Sequence, residues 1–377
     1  MPYLIRLSAV IAALATALLG TPALLAGADE GEGGHHAVFV QTNDPAGNSV
    51  AAYSRSANGT LTYVASYATG GKGGRAAGAA VDPLASQASL VFDRAHHLLL
   101  AANAGSNTVS VFKVRGERLH LEQVVASGGP FPASIAIHDN LVFVLDAGLA
   151  GYVQGYRIAG GTLHPIAGSL RSLGLANSNP PAFLKSPAQV GFTPDGRDLV
   201  ITMKTSSGGS VDVFGVSEDG QLSNAPTATT VGGVPFAFVF DPEGRLVIVN
   251  AAFGNLSTYT VDGNGSLSLV SAGASDRQIA ACWITAVDGN YYAANTGSGS
   301  LSQFTINEKG TVALENSLAA TGIPAPTDMA ASGDFLYAQS GASGSVKAFA
   351  VNAGGSLTPI GSWAVPDGGS QEGIAAS

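Results

Sequence analysis

The chain of 377 residues has a single cysteine, Cys282, which excludes an intramolecular disulfide framework and a structural CxxC zinc site. Charge is equally scarce: 17 Lys and Arg stand against 26 Asp and Glu, 11% of the chain, for a net charge of −9. Affinity for nucleic acid comes largely from Lys and Arg neutralising phosphates, so no nucleic-acid partner is expected. With 46% hydrophobic residues the composition is too apolar for disorder. Beyond the N-terminus no apolar run approaches the roughly 20 residues of a membrane-spanning helix, so no stable membrane anchor is expected. Helical periodicity is missing from the same region. What the chain has in quantity is glycine, 50 residues of it.

Residues 1–28 read as a secretory signal. Arg6 gives a short basic start, Leu7–Leu19 is an uncharged apolar run, and Ala26-Gly27-Ala28 fits a small-x-small cleavage site near Ala28. No cysteine lies nearby to carry a lipid anchor. The expected location is therefore secreted or periplasmic. Residues 29–36 read as a flexible lead-in, and 37–377 as a single domain.

That domain is repetitive. An aromatic recurs near the end of an alternating strand at Tyr53, Phe112, Tyr156, Phe214, Tyr259, Phe304 and Phe349, with spacings of 59, 44, 58, 45, 45 and 45. Shortly after each comes the first apolar residue of a next strand: Leu61, Leu119, Leu163, Leu222, Leu267, Val312 and Leu357. In six copies a glycine sits two residues before that position (Gly59, Gly161, Gly220, Gly265, Gly310 and Gly355), where a hairpin turn needs positive φ; the second copy carries Gly116 instead. A period of about 45 residues with four short strands per copy predicts an all-β, seven-bladed β-propeller. The two longer spacings place insertions at 70–85 and 168–186. The first copy lacks an innermost strand, and the last residues, Glu372–Ser377, supply one. The C-terminal strand is thus expected to complete blade 1 and close the ring.

The sequence resembles the seven-bladed propeller lactonases of the 6-phosphogluconolactonase and carboxymuconate-cyclase type. The likeness is carried by the run Asn103–Phe112, by Phe192–Arg197 and Phe240–Arg245, and by hairpins such as Asp219–Leu222, and it covers essentially all of 36–377. It implies hydrolysis of a small, sugar-type lactone at the mouth of the central channel by a cluster of His, Arg and Glu. At the corresponding positions this chain has Gly129–Ser134 without a histidine, Pro187-Ala188-Gln189, Lys204 in place of an acid, and Ala251-Ala252-Phe253. The catalytic residues are therefore left unassigned.

Aligning the copies puts Asn43, Asn103, Asp146, Lys204, Asn250, Asn295 and Ser340 at the ends of the second strands, a polar ring at one mouth of the channel. It reads either as a collar for a small ligand or as ordinary turn-starting residues. Lys204 is the member no turn requires, suited to an anionic ligand or to Asp146 in the next blade. The loops entering the inner strands add the aromatics Phe131, Phe236 and Trp283, and the ionisable Lys185, Arg277, Asp328 and Glu372. Asp328 and Glu372, in blades 7 and 1, fit a carboxylate pair or oxygen ligation of a channel-bound Ca²⁺. Otherwise no metal or cofactor is expected. Cys282 reads as a buried apolar residue. A monomer is expected. The alternative to hydrolysis is a non-catalytic propeller that binds a small molecule, a cell-envelope component or a protein partner.

Overall fold

The computed structural model describes residues 36–206 and 208–377; the expected signal, 1–28, and the lead-in up to His35 lie outside the described residues. Within them the chain forms seven antiparallel sheets, six of four strands and one carrying a short fifth strand, Arg171–Ser172. The only helical elements among the described residues are two single turns, Phe183–Lys185 and Gly368–Ser370. No helix there is long and apolar enough to cross a membrane.

Each sheet is one repeat. The recurrent aromatics lie on the third strands and are all buried. The six hairpin glycines all adopt φ of 80 to 83°, and Gly116 sits at 60°, as tight turns between twisted strands require. Neighbouring blades clamp one another through hydroxyls aimed at those turns. Thr258 Oγ1 donates to Gly310 O at 2.7 Å, Tyr292 Oη to Gly355 O at 2.6 Å, and Tyr337 Oη to Gly59 O at 3.2 Å. The third of these joins blade 7 to blade 1. Apolar clusters join neighbouring blades: Val38, Val40 and Tyr53 of blade 1 pack on Tyr337, Val346 and Ala348 of blade 7.

The C-terminal strand Ile374–Ala376 pairs antiparallel with His36–Gln41, in the register Val38↔Ala376, Phe39↔Ala375 and Val40↔Ile374. The ring closes as the sequence predicts, and no inner edge is left unpaired in blade 1.

The inner strands that line the channel are bent where they begin. Phe131, Val234, Ala280 and Ala325 take φ between 48 and 65° immediately before the strands Pro132–His138, Pro235–Phe240, Ala281–Val287 and Pro326–Ser332. Each of these strands then carries a bulge in its first residues. A bulge re-aims side chains locally, and here it does so at the end of the channel where the second strands finish.

Candidate functional site: the channel mouth and its plug

Most of the polar ring is engaged by the chain itself. Asn103 Nδ2 donates to Thr108 Oγ1 and Ser110 Oγ, Asn250 Nδ2 to Asn255 Oδ1 and Ser257 Oγ, and Asn295 Nδ2 to Ser300 Oγ and Ser302 Oγ, at 2.8 to 3.2 Å. One geometry thus repeats in blades 2, 5 and 6: an amide at a strand end ties down the hairpin that follows it. Asn43 exchanges two bonds with the backbone of Gly74, and Ser340 Oγ donates to Pro324 O. Asp146 is fully buried, and loss of solvent pushes its carboxyl up to about 7.

The loop aromatics divide. Phe131 is buried with Leu84, Ala104, Ala133 and Ala147, where it fills space between blades. Phe236 and Trp283 lie edge to face with centroids 5.0 Å apart, and the Lys204 ammonium stands 4.6 Å from the Phe236 centroid. Asp328, at φ +69°, accepts from Met329 N at 2.8 Å and from Ile374 N at 3.4 Å, so it fixes the approach of the closing strand. Burial lifts its carboxyl to about 7. Lys185 and Arg277 are exposed.

The axis itself is filled by the first insertion. The stretch Asp82–Ala88 reaches four blades: Glu372 Oε2 accepts from Leu84 N at 3.1 Å, Ser86 Oγ donates to Ala133 O at 2.7 Å, Gln87 N donates to Ala188 O at 3.0 Å, and Trp283 Nε1 donates to Ser86 O at 2.9 Å. Lys204 Nζ donates to Ala85 O. A segment bonded to blades 1, 3, 4 and 6 at once lies across the channel. Leu84 and Ala85 are fully buried in it. The two insertions also meet, through a parallel bridge between Ala77 and Ala182.

Asp82, which the sequence reading did not single out, is buried on this plug. Its Oδ1 accepts from Ala85 N at 2.7 Å, next to the Leu84 N that Glu372 holds, and its Oδ2 is buried without a partner. Desolvation raises Asp82 to about 6 and takes Glu372 well above the usual carboxylate range. Desolvation also brings Lys204 down to about 8, against the attraction of Asp82 and Glu372. The one sequence cue to Asp82 is the Asp-Pro step closing an insertion that occurs in a single copy. Among the described residues no group of three or more His, Cys, Asp or Glu is arranged to hold a metal ion.

Beside the plug, over blades 4 to 6, a cleft of about 470 Å³ stays open. Val234, Phe236, Ala251, Ala252 and Ala280 make its walls apolar, Phe183 and Leu184 of the second insertion form its rim, and Lys204 and Cys282 lie at its base. Burial holds the Cys282 thiol far above its ordinary value, so it is a packing group and not a nucleophile.

The model of the family described as "Lactonase, 7-bladed beta-propeller" matches residues 155–277 and 266–370, more than half of the chain. Similar solved structures include a Bacteroides uniformis protein described as a candidate 6-phosphogluconolactonase, at 16% identity and TM-score 0.70 over 91% of this chain and 99% of that one. The periplasmic gluconolactonase PpgL of Pseudomonas aeruginosa is 17% identical, with TM-score 0.68 over 90% and 98%. A Lactobacillus plantarum protein is 17% identical, with TM-score 0.67 over 90% and 98%. At such identities the likeness is one of fold. No curated protein matches.

Proposed function

Because the chain belongs to the seven-bladed β-propeller lactonase family, we propose that it hydrolyses a small, weakly polar lactone in the cleft over blades 4 to 6, with Lys204 as the reacting group. The observation that carries this reading is Lys204 itself, a buried amine beside the Phe236 ring in a mostly apolar cleft whose other polar lining residues are Ser206 and Gln278. The cleft volume suits a small ring ester. A phosphorylated substrate fits poorly, since a phosphate calls for several cationic donors and Lys204 is the sole cation among the described residues lining the cleft. An amine brought down to about 8 is partly neutral in mildly alkaline solution. It then accepts a proton from water as the water oxygen adds to the ring carbonyl, and returns that proton to the ring oxygen as the C–O bond opens.

The test is a pH-stat panel of γ- and δ-lactones on the purified protein, with Lys204→Met and Asp146→Ala beside wild type. Hydrolysis is expected in wild type and in Asp146→Ala, rising through about pH 8, and about 100-fold lower in Lys204→Met. Turnover that survives Lys204→Met removes Lys204 from the reaction.

A second reading, a non-catalytic propeller that binds a small molecule, cell-envelope component or protein partner, is favoured by the plug, which occupies the axis where the family resemblance puts the chemistry. No turnover on any lactone, together with saturable thermal shifts by small carbonyl compounds that Lys204→Met abolishes, supports that reading. Export is part of the proposal, on the strength of the Leu7–Leu19 run and the Ala26-Gly27-Ala28 site. N-terminal sequencing of protein recovered outside the cytoplasm should begin just after Ala28.

A further inference from the structure

The plug is held by two neighbouring acids. Asp82 Oδ1 is committed to Ala85 N and Glu372 Oε2 to Leu84 N. The remaining oxygens, Asp82 Oδ2 and Glu372 Oε1, are buried and have no donor. The two carboxyls hold successive amides of one turn, so they are neighbours, each with a buried oxygen that has no donor. Two buried carboxylates side by side repel, and burial strengthens the repulsion, so the pair requires a proton.

The segment that carries Asp82 is held in an unfavourable backbone conformation. Gly78, at φ +82°, has open space on its Cβ side, and Ala88 adopts φ +66° at the other end. Between them Ala85 also sits at φ +57°. Positive φ at a non-glycine residue costs free energy that the surroundings must supply, and here the surroundings are the contacts to Lys204, Trp283 and Glu372.

We propose that the Asp82–Glu372 pair is a proton-operated latch: with its shared proton in place the Asp82–Gln87 segment fills the channel axis, and loss of that proton drives the segment out and uncovers Lys204 and Trp283. The groups that face the pair set the direction. Asp328 of blade 7 repels both acids, while Lys204 of blade 4 and Arg75 of the insertion attract Asp82, and the Cys282 thiol of blade 6 is uncharged. Both carboxyls bind their proton more tightly in the closed state than in water. The closed state therefore loses ground as pH rises from the ordinary carboxylate range through about 6 for Asp82 and onward for Glu372. Lys204 acts in the opposite sense, since the closed state releases its proton from about pH 8 while the open state keeps it. Below about pH 8 only the acids act, so opening grows as pH rises from about 5 to about 8. This inference does not rest on the proposed reaction but bears on it: burial under the closed plug is part of what lowers Lys204, so the neutral amine that the reaction uses belongs to the closed state.

The chain contains two tryptophans, Trp283 and Trp363. In a Trp363→Phe background all tryptophan emission comes from Trp283, whose indole N–H bonds the plug at Ser86 O. Acrylamide quenching of that emission is measured from about pH 5 to about pH 8, with far-UV circular dichroism as the check on the fold. The quenching constant is expected to rise several-fold across the range at unchanged dichroism. In Asp82→Asn an amide N–H replaces the shared proton at every pH, so Trp283 stays shielded throughout; Glu372→Gln does the same from the other side. Uniform shielding in the Trp363→Phe protein, or a transition that persists in both amide variants, overturns the latch.

Discussion

Gln87, on the approach to blade 2, and Ile284, on the inner strand of blade 6, exchange two hydrogen bonds across the ring: Gln87 Nε2 donates to Ile284 O at 3.2 Å, and its Oε1 accepts from Ile284 N at 3.0 Å. Gln189 holds Phe238 in the same way between adjacent blades 4 and 5, at 3.1 and 2.7 Å. One side-chain device serves twice, once between neighbours and once over the diameter of the channel. In the second use it fastens the plug to the wall opposite its own blade.

Replacing Gln87 with alanine leaves the Ile284 N–H and C=O without these partners on a buried strand. An unsatisfied buried backbone group costs about 1–3 kcal/mol. Gln87→Ala should lower stability by about 2–4 kcal/mol, read as a fall in the urea midpoint at unchanged m-value. An unchanged midpoint would mean that the bonds across the axis contribute nothing to the fold.

Ring closure rests on three residue pairs and on Ile374, which is 5% exposed against Val38, Val40 and Tyr337. Ile374→Ala should cost about 2–4 kcal/mol, as for other buried aliphatic truncations. Removing Glu372–Ser377 uncovers the edge of His36–Gln41 and removes the ring's last seam, so thermal unfolding should move to lower temperature and lose cooperativity. Calorimetry of the truncated protein with an unshifted melting temperature would contradict a closing role for this strand.

The propeller was legible because its determinants are local and repeated. A hairpin that needs φ near +80° shows as glycine, and a buried third-strand residue shows as an aromatic; seven copies make each signal visible against its neighbours. The ends of the second strands could be located the same way, since Asn103, Asn250 and Asn295 occupy equivalent places. The plug could not be read, because an insertion that occurs once has no copies to align. Its partners Lys204, Trp283 and Glu372 lie 119, 197 and 288 residues away from the plug atoms they bond. Lys204, Trp283, Asp328 and Glu372 were each recognisable as polar or aromatic residues near the mouth. Asp82, which caps the plug turn beside Glu372, was hidden in a Gly/Ala-rich stretch.

Asp146 gives a pH test independent of the plug. Its carboxyl is pushed up to about 7 by burial, so the folded state holds a proton that the unfolded chain releases near pH 4. Wild type should therefore lose stability relative to Asp146→Asn as pH rises from about 4 to about 7, by an amount on the order of 2–4 kcal/mol, with no further divergence above that window. Urea midpoints of the two proteins at pH 5 and pH 8 decide it. A constant difference between them would show that Asp146 is ionised in the fold throughout.

Two hairpin glycines separate what a turn requires from what a blade interface requires. Gly161 and Gly355 occupy the same place in blades 3 and 7, at φ +80° and +83°. A Cβ added at Gly161 meets nothing within 4 Å, whereas at Gly355 it would lie 2.1 Å from Asn290 Oδ1 and 2.2 Å from Gln303 Nε2. Those two side chains bond each other at 2.9 Å, Gln303 Nε2 also reaches Gly354 O at 2.9 Å, and Tyr292 Oη bonds Gly355 O. The turn thus sits in a polar seam between blades 6 and 7. Gly161→Ala should cost only the backbone term, about 1–2 kcal/mol. Gly355→Ala carries the same term and must also part Asn290 from Gln303, for a total of about 3 kcal/mol or more. Urea denaturation of the two variants side by side measures the gap. Equal losses would show that the seam yields without cost and that glycine is needed there for its φ alone.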